Sequence, residues 1–118
     1  MTKGFRREQR INELIQVTLA NIIQHEALDL QLTTMVTITG VSVTHDLSLA
    51  KVFISVLEED KSAEVISLLN QAAKQLRHQL ASEVHLRVTP ELRFVYDDSI
   101  VRGNRITSLI SDALKNKE

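Results

Sequence analysis

The amino-acid sequence predicts an α+β fold, with helices packed on one face of a three-stranded mixed sheet. Three features predict it: a helical apolar stripe near the N-terminus, two runs rich in β-branched residues before residue 57, and a change of hydrophobic period around Pro90. Before Pro90 the apolar spacing is helical, and after it apolar and polar residues alternate as in a strand. Because proline has no N–H and biases the preceding residue towards extended geometry, a helix must end before it and a strand can begin at it.

The first predicted element is an amphipathic helix from Arg7 to about Glu26. Its apolar residues fall on one stripe: Ile11, Leu14, Ile15, Leu19, Ile22 and Ile23. Such a stripe can bind a partner helix or a membrane surface, but its ordinary use is burial against the protein's own sheet. We therefore expect it to form part of the core.

Two strands are predicted between residues 33 and 57. In the first, the apolar alternation changes phase at Gly40, so that Val36 and Ile38 match Val41 and Val43 only if one extra residue is inserted. We therefore predict a β-bulge at or beside Gly40. After a polar turn at residues 44–48, one face of the second strand carries Ala50, Val52, Ile54 and Val56.

A helix, a strand and a helix complete the chain. The apolar spacing predicts one long helix from Ser62 to about Ser82, followed by a third strand that carries Leu92, Phe94 and Tyr96. A helical crossover between the second and third strands predicts a mixed sheet. The last helix has its apolar stripe at Ile106, Leu109, Ile110, Ala113 and Leu114. We expect a single domain over residues 1–118, since 118 residues suffice for one core.

Composition excludes several kinds of protein. There is no cysteine, which removes disulfides and thiol chemistry and fits a reducing compartment. No apolar run approaches the roughly 20 residues of a membrane span, and the basic N-terminus lacks the apolar core of an export signal, so we expect a cytoplasmic protein. The net charge of -1 argues against coating nucleic acid by bulk charge alone, although the first ten residues form a basic cluster.

No enzyme motif is present. The three glycines form no phosphate-binding loop, and the histidines show no metal-ligand spacing: His25, His45, His78 and His85. His45 beside Asp46 resembles an acid/base pair only superficially, because adjacent turn residues rarely face one another. We therefore expect no enzyme activity, no metal and no cofactor.

Binding to RNA agrees better with the residues. Aromatic residues are only 3% of the chain, so base stacking is scarce and contacts to phosphate and RNA shape must dominate. The candidate RNA-binding residues are Arg6, Arg7, Arg10, Lys74, Arg77, His78, Arg87, Arg93, Arg102 and Arg105. The residues leave open a second possibility, a small protein-interaction module without direct RNA contact.

The chain resembles bacterial ribosome-binding factor A over nearly its whole length. The resemblance rests on the N-terminal RxxRI (residues 7–11), the run TGVSVTHDLSLAKVFIS (residues 39–55), the run LRVTPELRFVYDDS (residues 86–99) and the position of the final helix. It implies a type II KH-like domain with the element order α-β-β-α-α-β-α. It also implies a non-enzymatic factor that binds the small ribosomal subunit in late maturation, assists processing of the precursor rRNA at its 5′ end and matters most in the cold.

The resemblance implies partners as well: small-subunit rRNA, neighbouring ribosomal proteins, and the maturation GTPases and other assembly factors that act on the same particle. We expect a monomer with no membrane association.

One motif departs from the family pattern. KH domains usually clamp a nucleic-acid backbone through a GXXG loop, which this family replaces by an Ala-x-Gly kink between two helices. Here the position reads Ala72, Ala73, Lys74, and both residue types are good helix formers, so no kink is encoded locally. If packing imposes one, N–H groups at the start of the second helix can meet phosphate, with Lys74 adding charge. If not, contact there falls to side chains alone.

Overall fold

The computed structural model describes the backbone of residues 2–99 and the side chains of residues 7–99. In chain order the elements are helix α1 (Thr2–Glu26), strand β1 (Val36–Val43), strand β2 (Leu49–Val56), a 3-10 turn (Glu59–Lys61), helix α2 (Ser62–Gln71), helix α3 (Ala73–Glu83) and strand β3 (Glu91–Tyr96). The predicted final helix lies outside the described residues. Up to β3, the order is the one that the resemblance implies.

The three strands form one sheet in the order β1-β2-β3, with β1 and β2 antiparallel and β2 and β3 parallel. The mixed sheet is therefore confirmed. The predicted bulge is confirmed too: Ile38 pairs with Ile54 and Gly40 with the next residue back, Phe53, so Thr39 is the extra residue. A Cβ added at Gly40 would meet nothing within 4 Å, so a larger side chain has space there. The bulge therefore arises from the pairing of β1 with β2 and not from the small size of glycine.

All three helices pack on one face of the sheet, where the strands place their buried side chains. The core combines α1, the sheet and the helix pair: Ile15, Leu19, Ile22, Ile23, Ile38, Val41, Val43, Ala50, Val52, Ile54, Val65, Leu69, Leu76, Leu80, Val84, Leu92 and Phe94. The prediction was wrong at Leu14, which is 45% exposed. Leu14 lies five residues from Leu19, about 140° around the helix, and so points away from the sheet.

Side-chain amides from the helices form hydrogen bonds with backbone groups on the outer side of both edge strands. On β1, the Gln16 Nε2 donates to the Ile38 carbonyl at 3.1 Å, and the Val43 N–H donates to Asn12 Oδ1 at 3.0 Å. Both amides come from α1, so these two bonds fix the helix along the strand. Because exposed strand edges can pair with other chains, they also protect β1 from added strands.

On β3, Asn70 at the end of α2 makes both bonds that a neighbouring strand would make. Its Nδ2 donates to the Phe94 carbonyl at 3.0 Å, and its Oδ1 accepts from the Phe94 N–H at 2.9 Å. The last turn of α2 is therefore attached to the middle of β3.

Candidate nucleic-acid interface

One end of the sheet collects three separate parts of the chain. Residue Leu49 of β2 pairs with Glu91 of β3, so the β1–β2 turn (residues 44–48) and the loop before β3 (residues 84–90) reach the same end. The start of α1 joins them, since Glu8 Oε1 lies 2.7 Å from His45 Nδ1. Residues that are up to 80 positions apart in sequence thus become neighbours.

These three parts enclose a cleft of about 610 Å³, which we call the basic cleft. Its lining consists of three arginines and a histidine above an apolar floor: Arg7, Arg10, His85 and Arg87, with Ile11, Leu47 and Leu86. The four basic side chains are exposed, and among the described side chains none of the three arginines takes part in an ion pair. The basic cleft therefore presents cationic hydrogen-bond donors that an anionic ligand can reach.

The turn that carries Leu47 is held by Asp46. Its Oδ1 accepts bonds from the Thr44 hydroxyl at 2.7 Å, from the Ser48 hydroxyl at 2.8 Å and from the Ser48 N–H at 3.1 Å. These donors lower the pKa of the Asp46 carboxyl from its usual 3.8 to about 2, with the Thr44 hydroxyl contributing most. Asp46 is thus bonded within its own turn, and the His45 ring nitrogen Nδ1 lies against Glu8 Oε1.

Leu47 adopts a φ of 61°, a left-handed conformation that is unfavourable for a leucine. Its half-buried side chain packs against the core beside the cleft, and its N–H donates to the Thr44 carbonyl at 2.9 Å. The packing of the Leu47 side chain on the cleft floor therefore offsets the cost of its strained backbone.

The helix pair is interrupted at Ala72. Its φ of -90° and ψ of 4° leave the helical region, α2 ends at Gln71, and α3 starts again at Ala73 with no side-chain cap. The continuous helix predicted from local spacing is therefore wrong, and the pair implied by the resemblance is confirmed. The physical reason is tertiary: Asn70 attaches α2 to Phe94, and Arg77 attaches α3 to the loop before β3, so the two helices follow separate anchors.

The basic residues of α3 divide into two roles. Lys74 and His78 are exposed and lie one turn apart on the same side of the helix. Arg77 instead donates from Nε at 3.1 Å and from Nη2 at 2.8 Å to the Thr89 carbonyl. Arg77 therefore holds the loop that carries Arg87, while its remaining N–H groups face solvent.

The other candidates lie elsewhere. Arg93 is on the open face of the sheet, beside Lys51 in the register, and so does not join the basic cleft. Arg6 belongs to the first turns of α1, and only its backbone is described. Arg102 and Arg105 lie outside the described residues.

Sequence reasoning missed the residues that hold the interface together. The sheet-edge amides of Asn12, Gln16 and Asn70 carry no signal in the sequence, because a polar residue on a helix is ordinarily solvated. His85 and Leu47 were not among the candidates either. A leucine in a turn that contains Asp and Ser was the one available sign that an apolar side chain is needed there.

Within residues 2–99 there is no group of three or more His, Cys, Asp or Glu residues placed to bind a metal ion. Nor does any described helix combine the length and hydropathy needed to cross a bilayer.

The sheet, the interrupted helix pair and the basic cleft define a small KH-like α+β protein with a surface for an anionic ligand. The family model described as ribosome-binding factor A matches residues 7–110. The chain belongs to the ribosome-binding factor A family. Ribosome-binding factor A of Legionella pneumophila strain Paris is 46% identical over 112 residues, which cover 95% of this chain and 90% of the relative.

Two structures of one relative share the fold. The crystal structure of ribosome-binding factor A from Thermus thermophilus matches with a TM-score of 0.63 and 26% identity, covering 75% of this chain and 94% of that one. A homology model of the Thermus thermophilus factor, fitted into the cryo-EM map of its complex with the 30S subunit, matches with a TM-score of 0.58 and 29% identity. It covers 72% of this chain and 89% of that one.

Proposed function

We propose that this protein binds the small ribosomal subunit by holding the rRNA backbone in the basic cleft and along α3. The observation that supports this most is the meeting of Arg7, Arg10 and Arg87 at one end of the sheet, with no ion pair to any described side chain. Membership of the ribosome-binding factor A family and the 30S complex of the Thermus thermophilus relative support the choice of partner.

The geometry suits an RNA backbone. Guanidinium groups bind phosphate through paired N–H donors, and the apolar floor can take a sugar or an unstacked base. From the cleft, α3 leads back past His78 to Lys74 and the interruption at Ala72, a distance of about 15 Å at 1.5 Å per residue. The first N–H groups of α3 have no partner within their own helix, so a phosphate is well placed there beside Lys74.

The finer role that we propose follows the family resemblance. The protein acts in late maturation of the small subunit, promotes processing of the precursor rRNA at its 5′ end, and is most needed for growth in the cold. It stabilises one rRNA conformation without catalysing a reaction, as a single cytoplasmic domain of 118 residues. Its further partners are neighbouring ribosomal proteins, maturation GTPases and other assembly factors, and it acts as a monomer.

Co-sedimentation across a salt series tests the partner. The purified protein is mixed with mature small subunits, precursor small subunits and large subunits, and the bound fraction is measured at each salt concentration. We expect selective binding to small subunits that weakens as salt rises, because phosphate contacts release counterions. Equal or absent binding to all three would return the function to the protein-interaction module, which a concentration-dependent mass without RNA would then support.

The double variant Arg7→Glu/Arg10→Glu tests the basic cleft. Losing two phosphate contacts should reduce the slope of log K against log salt by about 1.4, at roughly 0.7 per contact with single-stranded nucleic acid. The control is Arg93→Glu, a single charge reversal on the open face of the sheet, which should leave the slope unchanged. An equal effect per reversed charge in both variants would mean that general charge, and not the cleft, drives binding.

The maturation role needs a readout in cells. In a strain that lacks its own factor, the wild-type chain should restore growth in the cold and reduce precursor rRNA with an unprocessed 5′ end. Arg7→Glu/Arg10→Glu should do neither, while Arg93→Glu should do both. If binding were restored but 5′ processing were not, the maturation role would be contradicted and the binding of the small subunit would stand.

A further inference from the structure

An apolar groove lies on the opposite half of α1 from the basic cleft. It has a volume of about 700 Å³ and runs between α1 and the start of β1, with Val17, Ala20, Ala27, Met35 and Val36 among its lining residues. Val17 is 62% exposed and Met35 is 68% exposed. Single exposed apolar residues are common, but several of them around one concave surface indicate a contact site.

At the groove, the Ile38 carbonyl on the outer edge of β1 is already bonded to Gln16 Nε2 at 3.1 Å. This bond disfavours an occupant that extends the sheet and favours one that binds through apolar side chains. An amphipathic segment with a narrow apolar stripe has the required character.

The chain itself supplies such a segment. Residues 100–118 lie outside the described part, and their sequence repeats apolar residues at helical spacing: Ile106, Leu109, Ile110, Ala113 and Leu114. Basic residues flank the stripe at Arg105 and Lys115, and the groove has an exposed acid at Glu13. The apolar pattern of the segment thus complements the groove, and the two flanking cations outnumber the one acid between them, Asp112.

The end of β3 is placed so that this segment can reach the groove. Tyr96 pairs with Ile54, which pairs with Ile38, so β3 ends at the same end of the sheet as the groove, two strands or about 10 Å away. The Asp97 carboxylate reaches back towards β1 and accepts a bond from the Thr39 hydroxyl at 2.6 Å. The residues from Ser99 to Ile106 can span up to about 24 Å, which is enough to pass round the start of β1.

We propose that the apolar residues of segment 106–114 dock in the groove between α1 and the start of β1. The segment then covers the exposed side chains of Val17 and Met35.

Disulfide trapping tests the docking directly, because the chain has no native cysteine. We expect Ala20→Cys/Ile110→Cys to form an intramolecular disulfide in most molecules under mild oxidation. The control is Ser55→Cys/Ile110→Cys, which places the first thiol on the open face of the sheet at the same end and should form little. A bond in the control pair alone, no bond in either pair, or a disulfide-linked dimer from the groove pair would each overturn the proposal.

Methionine NMR gives a second readout on the full chain. The sequence has two methionines, Met1 and Met35, and Met35 lines the groove. The variant Leu109→Asp/Ile110→Asp should shift the methyl resonance of Met35 and leave that of Met1 in place. Ser108→Asp/Ser111→Asp, which adds the same charge on the other side of the segment, should shift neither, and equal shifts from both variants would refute the docking.

Discussion

The attachment of α2 to β3 can be tested by one substitution, Asn70→Ala. It removes the bond from Nδ2 to the Phe94 carbonyl at 3.0 Å and the bond from the Phe94 N–H to Oδ1 at 2.9 Å. A typical hydrogen bond contributes about 0.5–1.5 kcal/mol net, so the pair is worth about 1–3 kcal/mol. A loss in the upper part of that range requires that water does not replace the Asn70 amide. Phe94, whose backbone N–H and carbonyl lose the two bonds, is 1% exposed.

The assay is thermal and urea unfolding followed by circular dichroism. For a protein of this size, a loss of 2 kcal/mol lowers Tm by about 6–10 °C. Asn70→Asp tests the donor bond separately, because the carboxylate still accepts from the Phe94 N–H but places an oxygen against the Phe94 carbonyl. It should therefore destabilise the protein at neutral pH despite its nearly identical shape.

The matched control is Gln71→Ala, one residue further along α2. Its amide donates only to the Ser67 hydroxyl, at 3.1 Å and on the exposed side of the helix, so its loss should cost less than about 0.5 kcal/mol. If Asn70→Ala cost no more than Gln71→Ala, the amide would not hold α2 on the strand. The explanation of the interruption at Ala72 would then be wrong.

Two further predictions concern the parts that frame the basic cleft. Because the pKa of Asp46 is depressed to about 2, its contribution to stability is present above the usual value of 3.8 and is lost as the pH falls through about 2. Unfolding measured from pH 5 down to pH 2 should therefore show the Tm gap between wild type and Asp46→Asn closing, and a gap that stays constant would contradict the role of the carboxylate. Arg77→Lys keeps the charge but cannot make both bonds to the Thr89 carbonyl, so it should weaken subunit binding without reducing its salt slope. The same substitution should lower stability by about 0.5–1.5 kcal/mol, and a reduced salt slope would instead assign Arg77 to phosphate contact.

Much of the fold could be predicted from local pattern. The stripe of α1, the alternation in β1 and β2, and the change of period at Pro90 follow from side chains that must face one core, and periodicity records that requirement directly. The bulge beside Gly40 was predictable for the same reason, since a change of phase in the apolar alternation of one strand shows where an extra residue is inserted. Leu14 was assigned wrongly because the spacing admitted a wider stripe than the sheet covers.

The candidate site was less accessible to sequence reasoning. Arg7, Arg10 and Arg87 could each be named as basic residues, but nothing in their spacing indicates that they line one cleft. Arg77 was named for RNA contact, whereas the structure also uses its guanidinium to hold the Thr89 carbonyl. A charged side chain carries the same local signal in both roles.

Up to β3, the sequence by itself determined the element types, the mixed sheet and the family, because each depends on local periodicity or on the runs at residues 7–11, 39–55 and 86–99. Only the tertiary structure decided that the long helix is interrupted, at the position that the resemblance had indicated, and which cations meet. Alanine and lysine at residues 72–74 favour a continuous helix, and the interruption arises because Asn70 and Arg77 bind different parts of the chain around β3. Contacts between residues distant in sequence outweigh local propensity there, so no local pattern could have revealed them.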